Sequence, residues 1–299
     1  MANGGGGSSL VQEAFFARLR TDLNGVSDTL TLLPYKGNTI LVNRKTVAVP
    51  DAGLTVDVAD NLIDAAGADA GAAGGANTLY YVYVANALSP FSPSSIRLSS
   101  TAPSLVNGVK YLGSTGNAIN WRFVGWVYLN ATPKFESSVN NRLIVNYYNR
   151  LRIQVGFICP GYVDDNTQSL QVVAVGGQTN WTTVNGGTGE RGTFISNGED
   201  DVEIQLSSWT NVAAAGVVYL GVALDGVYPT VNVGLLANAF AVIGAASCSD
   251  DISPAEGFHT LDMVYATSGA NTFALFWDEP RYGAAADPKL TGYCASIMA

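Results

Sequence analysis

The chain alternates apolar and polar residues over short segments through most of its length, which is the pattern of β-strands. In the first block, Thr39–Val42 and Thr46–Val49 flank Asn43-Arg44-Lys45 and predict a hairpin. Further strands are predicted at Leu79–Val84, Ser95–Ser99, Trp121–Leu129 and Arg142–Tyr148. The pattern therefore predicts a β-rich module over residues 29–152.

Two segments of this module depart from simple alternation. In Tyr80-Tyr81-Val82-Tyr83-Val84, large side chains occupy both faces of the predicted strand, which indicates a strand that is covered on both sides. Residues 65–76 read AAGADAGAAGGA, and this low-complexity tract predicts a surface loop.

A second β-rich block follows over residues 153–299, and no repeat of fixed period is visible in it. The spacing of its eight predicted strands is typical of a β-sandwich or jelly-roll-like domain. These strands are Ile153–Ile158, Leu170–Val175, Gly192–Ile195, Val202–Leu206, Val217–Leu224, Ala239–Ile243, Leu261–Ala266 and Thr272–Phe276. The predicted fold class is thus mainly β.

The N-terminal residues 1–28 differ from both blocks. Residues 1–9 (MANGGGGSS) predict a flexible arm. Residues 10–24 have helical spacing of Leu10, Phe15 and Leu19, with Ser9 as the N-cap. A single amphipathic helix of this size needs an apolar partner. Its own body, a second copy of the chain and a larger assembly are all open as that partner.

Composition adds a second signal, because only 13% of the residues are charged, against about 25% in a typical domain. The net charge of −9 is unevenly placed. Residues 1–152 carry 12 basic and 9 acidic side chains, whereas residues 153–299 carry 3 and 15. The acidic half would repel phosphate, so nucleic-acid binding is not expected. The low charge fits a chain that buries surface in an assembly.

The three cysteines are dispersed and form no CxxC pair, so no zinc site and no other cofactor is expected. Reduced thiols in a protein assembled in a cytosol are favoured, although a Cys248–Cys294 bridge remains open. The sequence has no apolar run of about 18 residues, so membrane insertion is not expected. It also lacks the pattern of a secretory signal peptide.

Catalysis by a histidine would have to use His259, which is the only one in the chain. It lies in Ala255-Glu256-Gly257-Phe258-His259-Thr260, and no GxSxG motif occurs. We therefore expect a structural or interface histidine, no catalytic residues and no enzyme activity.

Clustered carboxylates leave two alternatives open, which are hydrolysis of a glycan and simple solvated turns. The surrounding Asn, Gly and Ser residues favour turns, and the loop Asn197–Asp201 could also hold calcium. The aromatic residues chosen as possible glycan contacts are Trp181 and Trp209, because both lie beside polar runs. The clusters are Asp164-Asp165, Glu199-Asp200-Asp201 with Glu203, Asp250-Asp251 and Asp278-Glu279.

Several segments resemble motifs of structural proteins of tailed bacteriophages and prophages, which carry the opening pattern PYxGNxxxIN…IPxAGVT…TLYYVY. The matching segments here are Leu33–Asn43 (LPYKGNTILVN), Val49–Thr55 (VPDAGLT) and Thr78–Tyr83 (TLYYVY). Later RxVGW, SWFNRR-like and EGYH-like motifs are similar to Arg122–Trp126 (RFVGW), Val145–Arg150 (VNYYNR) and Glu256–His259 (EGFH).

The resemblance implies a non-catalytic protein of the virion, either a fibre of the tail or head or a capsid decoration, assembled in the host cytoplasm. Because Leu10, Phe15 and Leu19 need an apolar partner, our hypothesis is that the N-terminal region attaches the protein to capsid or tail proteins through these side chains. The alternative is a tail fibre or tailspike that binds a host glycan, with or without glycan-degrading activity.

Related surface proteins are commonly trimers, and two uncharged runs agree with a homotrimer. Val212–Leu224 and Val233–Ala246 contain no charged side chain. Symmetric contacts between copies would bury them. Alternatively, they are central strands of the chain's own sheets.

Overall fold

A computed structural model describes residues 17–21, 26–86, 96–138, 141–148, 150–158, 170–174, 182–183, 191–212, 216–237, 242–267, 271–275 and 292–298. The chain is mainly β with several sheets, which confirms the predicted class. Within the described residues the one helical element is a single 3-10 turn at Ala118–Asn120. No helix in this part of the chain is long and apolar enough to cross a membrane.

The chain divides into two compact units, the first of Met1–Glu136 with Asn146–Arg150 and the second of Ser137–Val145 with Leu151–Ala299. The strands up to Glu136 are β1 Ala17–Thr21, β2 Val26–Ser27, β3 Thr29–Pro34, β4 Thr39–Val42, β5 Lys45–Ala48, β6 Leu54–Asp57, β7 Asn61–Ile63, β8 Asp69–Ala73, β9 Thr78–Ala85, β10 Ile96–Ser99, β11 Ser104–Val106, β12 Val109–Tyr111, β13 Trp121–Leu129 and β14 Phe135–Glu136. The remaining strands are β15 Asn141–Arg142, β16 Ile144–Asn146, β17 Arg152–Ile158, β18 Leu170–Ala174, β19 Thr182–Thr183, β20 Arg191–Asn197, β21 Val202–Val212, β22 Gly216–Leu224, β23 Val227–Ala237, β24 Val242–Ile252, β25 Glu256–Thr267, β26 Asn271–Leu275 and β27 Gly292–Met298.

The main sheet of the first unit has the strand order β10-β9-β13-β12-β11, and its neighbouring strands are antiparallel. Its two long central strands carry most of the large buried side chains, including Trp121, Trp126 and Tyr83. Val82, Tyr83 and Val84 of β9 are all fully buried, so both faces of this strand are covered, as its sequence predicted.

The predicted N-terminal helix is wrong over residues 17–21, which form strand β1 beside β3. Leu19 lies opposite Leu32 in this antiparallel ladder, and both side chains are buried. Helical spacing gave the wrong result because tertiary contacts decide the conformation of such a short segment. Here β1 supplies the hydrogen-bonding partner for one edge of β3. The rest of the predicted helix lies outside the described residues.

Two predicted connections of the first unit have different outcomes. The hairpin around Asn43-Arg44-Lys45 is confirmed as β4–β5, and Asn43 and Arg44 have the positive φ angles of a tight hairpin turn. The tract 65–76 is largely exposed as expected, with Gly67 buried, but it is not simply a loop, because Asp69–Ala73 form β8 and pair with β7. Small side chains allow this strand, and Asp64 holds the turn before it by accepting the N–H groups of Ala66 and Ala68.

The second unit contains two larger sheets. One has the order β15-β20-β25-β22-β23 with β19 beside β25, and the other has the order β17-β27-β21-β26-β18 with β24 beside β21. All their pairings are antiparallel except β15 with β20. The predicted strands of this block did not include β19, β23 and β27. Pro229 lies within β23, which has β22 as its single described neighbour, and proline is tolerated in such an edge strand.

The register of the second sheet also answers the question of a Cys248–Cys294 bridge. Cys248 pairs with Leu206 and Cys294 pairs with Gln205, so the two cysteines lie on strands on either side of β21. Strands two positions apart are separated by about 9–10 Å. A disulfide needs a Cα separation below about 7 Å. The backbone therefore excludes this bridge.

The uncharged run Val212–Leu224 is largely accommodated in the chain's own sheet. Its strand β22 has β25 on one edge and β23 on the other, and Val222 and Ala223 are fully buried. Burial in the chain's own sheet is the second of the two alternatives that the sequence left open, the first being burial between copies of the chain. The second run, Val233–Ala246, spans parts of β23 and β24 and residues outside the described ranges.

Candidate functional site

A β-bulge in β13 organises an aromatic cluster in the first unit. Phe123 lies opposite Tyr83 and Gly125 lies opposite Val82, so Val124 is an extra residue in the strand. In a regular strand, residues three apart face opposite sides. The bulge instead brings Phe123 and Trp126 together, with ring centroids 4.8 Å apart in an edge-on arrangement.

Tyr147 completes this cluster from another part of the chain. Its backbone N–H donates to the carbonyl oxygen of Val124 at 2.9 Å, so the bulge fixes where Tyr147 lies. The amine of Lys110 lies 4.4 Å from the ring centroid of Tyr147 and 5.6 Å from that of Trp126. Trp126 is fully buried and Tyr147 is half-buried, so this arrangement is a packed cluster with a cation at its edge.

Arg122, the residue before Phe123, connects β13 to two other segments. Its guanidinium donates to the carbonyl oxygen of Leu41 and to the hydroxyl of Tyr148, and it lies 4.6 Å from the ring centroid of Tyr148. The residue is only 1% exposed. A buried cation that donates to a backbone carbonyl and faces an aromatic ring holds these segments in a single arrangement.

A set of buried asparagines joins β4, β9 and the 3-10 turn. The amide of Asn86 donates to the carbonyl oxygen of Val42 and to the side-chain oxygen of Asn120, both at 3.1 Å. Asn43 donates to the same oxygen of Asn120 at 3.1 Å. Asn86 is fully buried, so these bonds satisfy polar groups that are removed from water.

Asn146 binds the N-terminal strand to this unit. Its side-chain oxygen accepts the N–H of Leu19 at 2.6 Å, and its side-chain amide donates to the carbonyl oxygen of Leu19 at 3.5 Å. The carboxamide therefore acts as a one-residue continuation of the sheet along the second edge of β1. Leu19 is 2% exposed, so its side chain is buried within the first unit.

Three connections of the second unit meet around residues 196–201, 225–226 and 253–255, and we call them the turn cluster. In the first connection, the side-chain oxygen of Asn197 accepts the N–H groups of Glu199 and Asp200 at 2.8 and 3.1 Å. The carboxylate of Asp200 accepts from the amide of Asn197, and that of Asp201 accepts from the hydroxyl of Ser253. The predicted turn around Glu199-Asp200-Asp201 is confirmed.

His259 lies at the centre of the turn cluster. Its Nδ1 is 2.7 Å from a carboxylate oxygen of Asp225, and its Nε2 is 2.8 Å from the carbonyl oxygen of Ala255. The second oxygen of Asp225 accepts the N–H of Thr260 at 2.8 Å. The ring of Phe194 packs 5.4 Å from the imidazole. The histidine thus bridges two connections and has a partner at each nitrogen.

An ion pair supports the same strands. Arg191 on β20 donates two hydrogen bonds to Asp262 on β25, at 2.9 and 3.1 Å. Asp262 is 3% exposed, so the guanidinium supplies the partner that a buried carboxylate needs. The two residues lie opposite each other in the ladder, and the pair therefore joins β20 to β25 through side chains as well as backbone.

The described residues contain no group of three or more His, Cys, Asp or Glu side chains that could hold a metal ion. A pocket of about 10 Å³ beside Asn197 is about the size that one water molecule occupies. In the Asn197–Asp201 loop, the side-chain oxygen of Asn197 and one oxygen each of Asp200 and Asp201 accept hydrogen bonds from the loop itself and from Ser253.

The other predicted site residues have mixed outcomes. Leu10, Phe15 and Trp181 lie outside the described residues, as do Asp164-Asp165 and Asp278-Glu279. Trp209 is in β21, opposite Ala245. Asp250-Asp251 were expected in a turn, but they lie within β24, where Asp251 is exposed and opposite Glu203. That strand has β21 as its one described hydrogen-bonded neighbour, and an edge strand tolerates charged residues.

Sequence reasoning missed Asp225, Arg191, Asp262 and Asn146. Each acts through a partner that is distant in the chain, and an Asp-Gly turn or a single Asn has an ordinary local explanation. Two signals in the sequence pointed to the turn cluster, the Glu256–His259 motif and the loop Asn197–Asp201. Comparison of the chain with protein-family models and with curated protein sequences found no match.

Proposed function

We propose that the chain is a non-catalytic structural protein of a virus particle, a surface fibre or capsid decoration of a tailed bacteriophage. The observation that carries this proposal is the packing around β13. Leu41, Arg122–Trp126 and Tyr147–Tyr148 come from three of the segments that resemble phage structural proteins, and they contact one another there. Motifs that pack against each other specify a scaffold.

The turn cluster supports the non-catalytic part of the proposal. A general base must reach a proton of its substrate with a free lone pair. Both nitrogens of His259 already face protein acceptors, and the side chain is 10% exposed. The carboxylates of Asp200 and Asp262 likewise have protein donors. These groups stabilise turns and strands.

The proposal includes attachment through the N-terminal region, location on the virion and a homotrimer. It also includes a β-sandwich or jelly-roll-like arrangement for the C-terminal domain, residues 153–299. Because Leu19 is buried within the first unit, the residues that attach the protein to the particle are those that precede Ala17, among them Leu10 and Phe15. A solution mass near three chain masses would support the trimer, and a mass near 31.2 kDa at micromolar concentration would contradict it.

A truncation that starts at Ala17 tests attachment. It retains β1, so we expect a folded protein that does not join particles. The matched control is the full-length double variant Arg18→Ala/Arg20→Ala, which changes β1 and keeps the proposed anchor. We expect it to join particles at the normal copy number. Normal incorporation of the truncated protein would contradict the proposal, and so would release of reducing ends from a host polysaccharide by the purified full-length protein.

A further inference from the structure

The hydrogen bonds that His259 can make depend on the protonation of its ring. Asp225 belongs to the connection between β22 and β23, and Ala255 directly precedes β25. The carbonyl oxygen of Ala255 can only accept a hydrogen bond, and an ionised carboxylate is also an acceptor only. A neutral imidazole has a single N–H. The contacts at 2.7 and 2.8 Å can therefore both be hydrogen bonds at the same time only when the ring is the imidazolium cation.

The surroundings of the ring agree with a single charged partner. Phe194 on β20 contributes an uncharged ring, and the loop before β25 contributes a carbonyl oxygen. Glu256 and Asp262 lie three residues away on the same strand, and the pleat directs side chains at that spacing to the opposite face. Asp225 is the carboxylate that contacts the imidazole, at 2.7 Å. Of the other carboxylates in the turn cluster, Asp200 accepts from Asn197 and Asp201 accepts from Ser253.

We propose that His259 is a proton-dependent clasp between the Asp225 turn and the Ala255 loop. As the cation it holds both, and after it loses its proton it holds only one. This inference goes beyond the proposed function and does not depend on it. The number of protons on the ring therefore decides how many of the two connections His259 holds.

The clasp opens at Ala255. The remaining proton of the neutral ring stays on Nδ1, because a hydrogen bond to a carboxylate is about twice as strong as a bond between neutral groups. Nε2 then presents a lone pair to the carbonyl oxygen of Ala255, and the two groups repel. The Asp225 turn keeps its own bond to the N–H of Thr260, so only the Ala255 loop loosens.

The experiment uses the full-length protein labelled with ¹⁵N in histidine, which gives the spectrum of one residue because the chain has one histidine. At pH 5.5 we expect two slowly exchanging ring N–H protons, and at pH 8.5 we expect one, on Nδ1. Hydrogen exchange followed by mass spectrometry should show protection of Ser253–Phe258 falling about fivefold across the same range. A neutral ring with one N–H at pH 5.5, or unchanged protection of this segment, would overturn the proposal.

Asp225→Asn provides the matched control variant. An asparagine amide can donate to Nδ1 of the neutral ring, which leaves Nε2–H to donate to Ala255. We expect Ser253–Phe258 in this variant to keep its protection at pH 8.5. If the pH dependence of protection is as large in the variant as in the natural protein, His259 does not act through Asp225 and the clasp is refuted. The measurement on the natural protein decides the question even where the variant is unstable.

Discussion

Replacing Gly53 by alanine tests how closely the connection before β6 packs on β3. Gly53 has a φ of +84°, and its N–H donates to the carbonyl oxygen of Pro50 at 2.8 Å. A Cβ at this position would lie 2.9 Å from the carbonyl oxygen of Leu32 and would overlap the Thr31 side chain. Both neighbours belong to β3, which is paired with β6. The backbone oxygen therefore cannot move without disturbing the ladder.

The magnitude has two parts. A residue with a Cβ in a left-handed conformation costs about 1–2 kcal/mol. Overpacking against a fixed neighbour adds about 1–3 kcal/mol. We expect Gly53→Ala to lower the free energy of unfolding of the first unit by about 3 kcal/mol. For a unit of this size that corresponds to a fall in Tm of about 10 °C.

Gly108→Ala is the matched control, because Gly108 has a φ of +83° and a Cβ there would meet no atom within 4 Å. It should show the conformational cost alone, about 1 kcal/mol. Differential scanning calorimetry of both variants, with circular dichroism as a check on folding, measures the difference. Equal losses of Tm in the two variants would refute the packing argument, because the carbonyl oxygen of Leu32 would then contribute nothing.

Three further predictions concern other parts of the chain. Asn146→Ala leaves a buried backbone N–H of β1 without its acceptor, so we expect a loss of about 2 kcal/mol in the calorimetric stability of the first unit. Cys248 and Cys294 lie too far apart to bridge, so peptide mapping of the unreduced protein should find no disulfide between them; a Cys248–Cys294 crosslink would contradict the register. The N–H of Gly71 lowers the pKa of Asp69, so carboxyl NMR should show Asp69 titrating below the usual range for aspartate. A carboxyl with a lowered pKa stabilises the fold above its usual pKa and loses that effect as pH falls, so protection of the Gly71 amide should fall in acid and should not fall at neutral pH.

The alternating pattern was sufficient to predict the β class and many of the strands. It succeeded where one face of a strand is buried, as in β4, because burial of one face produces period-two alternation. In β9, which is buried on both faces, the run of large side chains gave the signal instead. It failed at β1, where leucines at helical spacing also fit a short strand. Five residues contain too little periodicity to separate the two, and the unpaired edge of β3 decides the outcome.

The candidate site was less predictable because its contacts join distant residues. His259 and Asp225 are 34 positions apart, and Leu19 and Asn146 are 127 positions apart. The bulge at Val124 also leaves no local signal, since RFVGW reads as an ordinary strand. Only the register with β9 shows that Phe123 and Trp126 share a face. Such features depend on tertiary pairing, which a single sequence does not specify.

The central claim is that this chain is a structural component of a virus particle. Quantitative mass spectrometry of particles purified from infected cells, with heads and tails separated, tests it most directly. The account predicts the full-length chain in one of these fractions at a fixed copy number, a multiple of three, that survives washing in high salt. Presence of the chain in the infected-cell lysate together with its absence from purified particles would contradict the account.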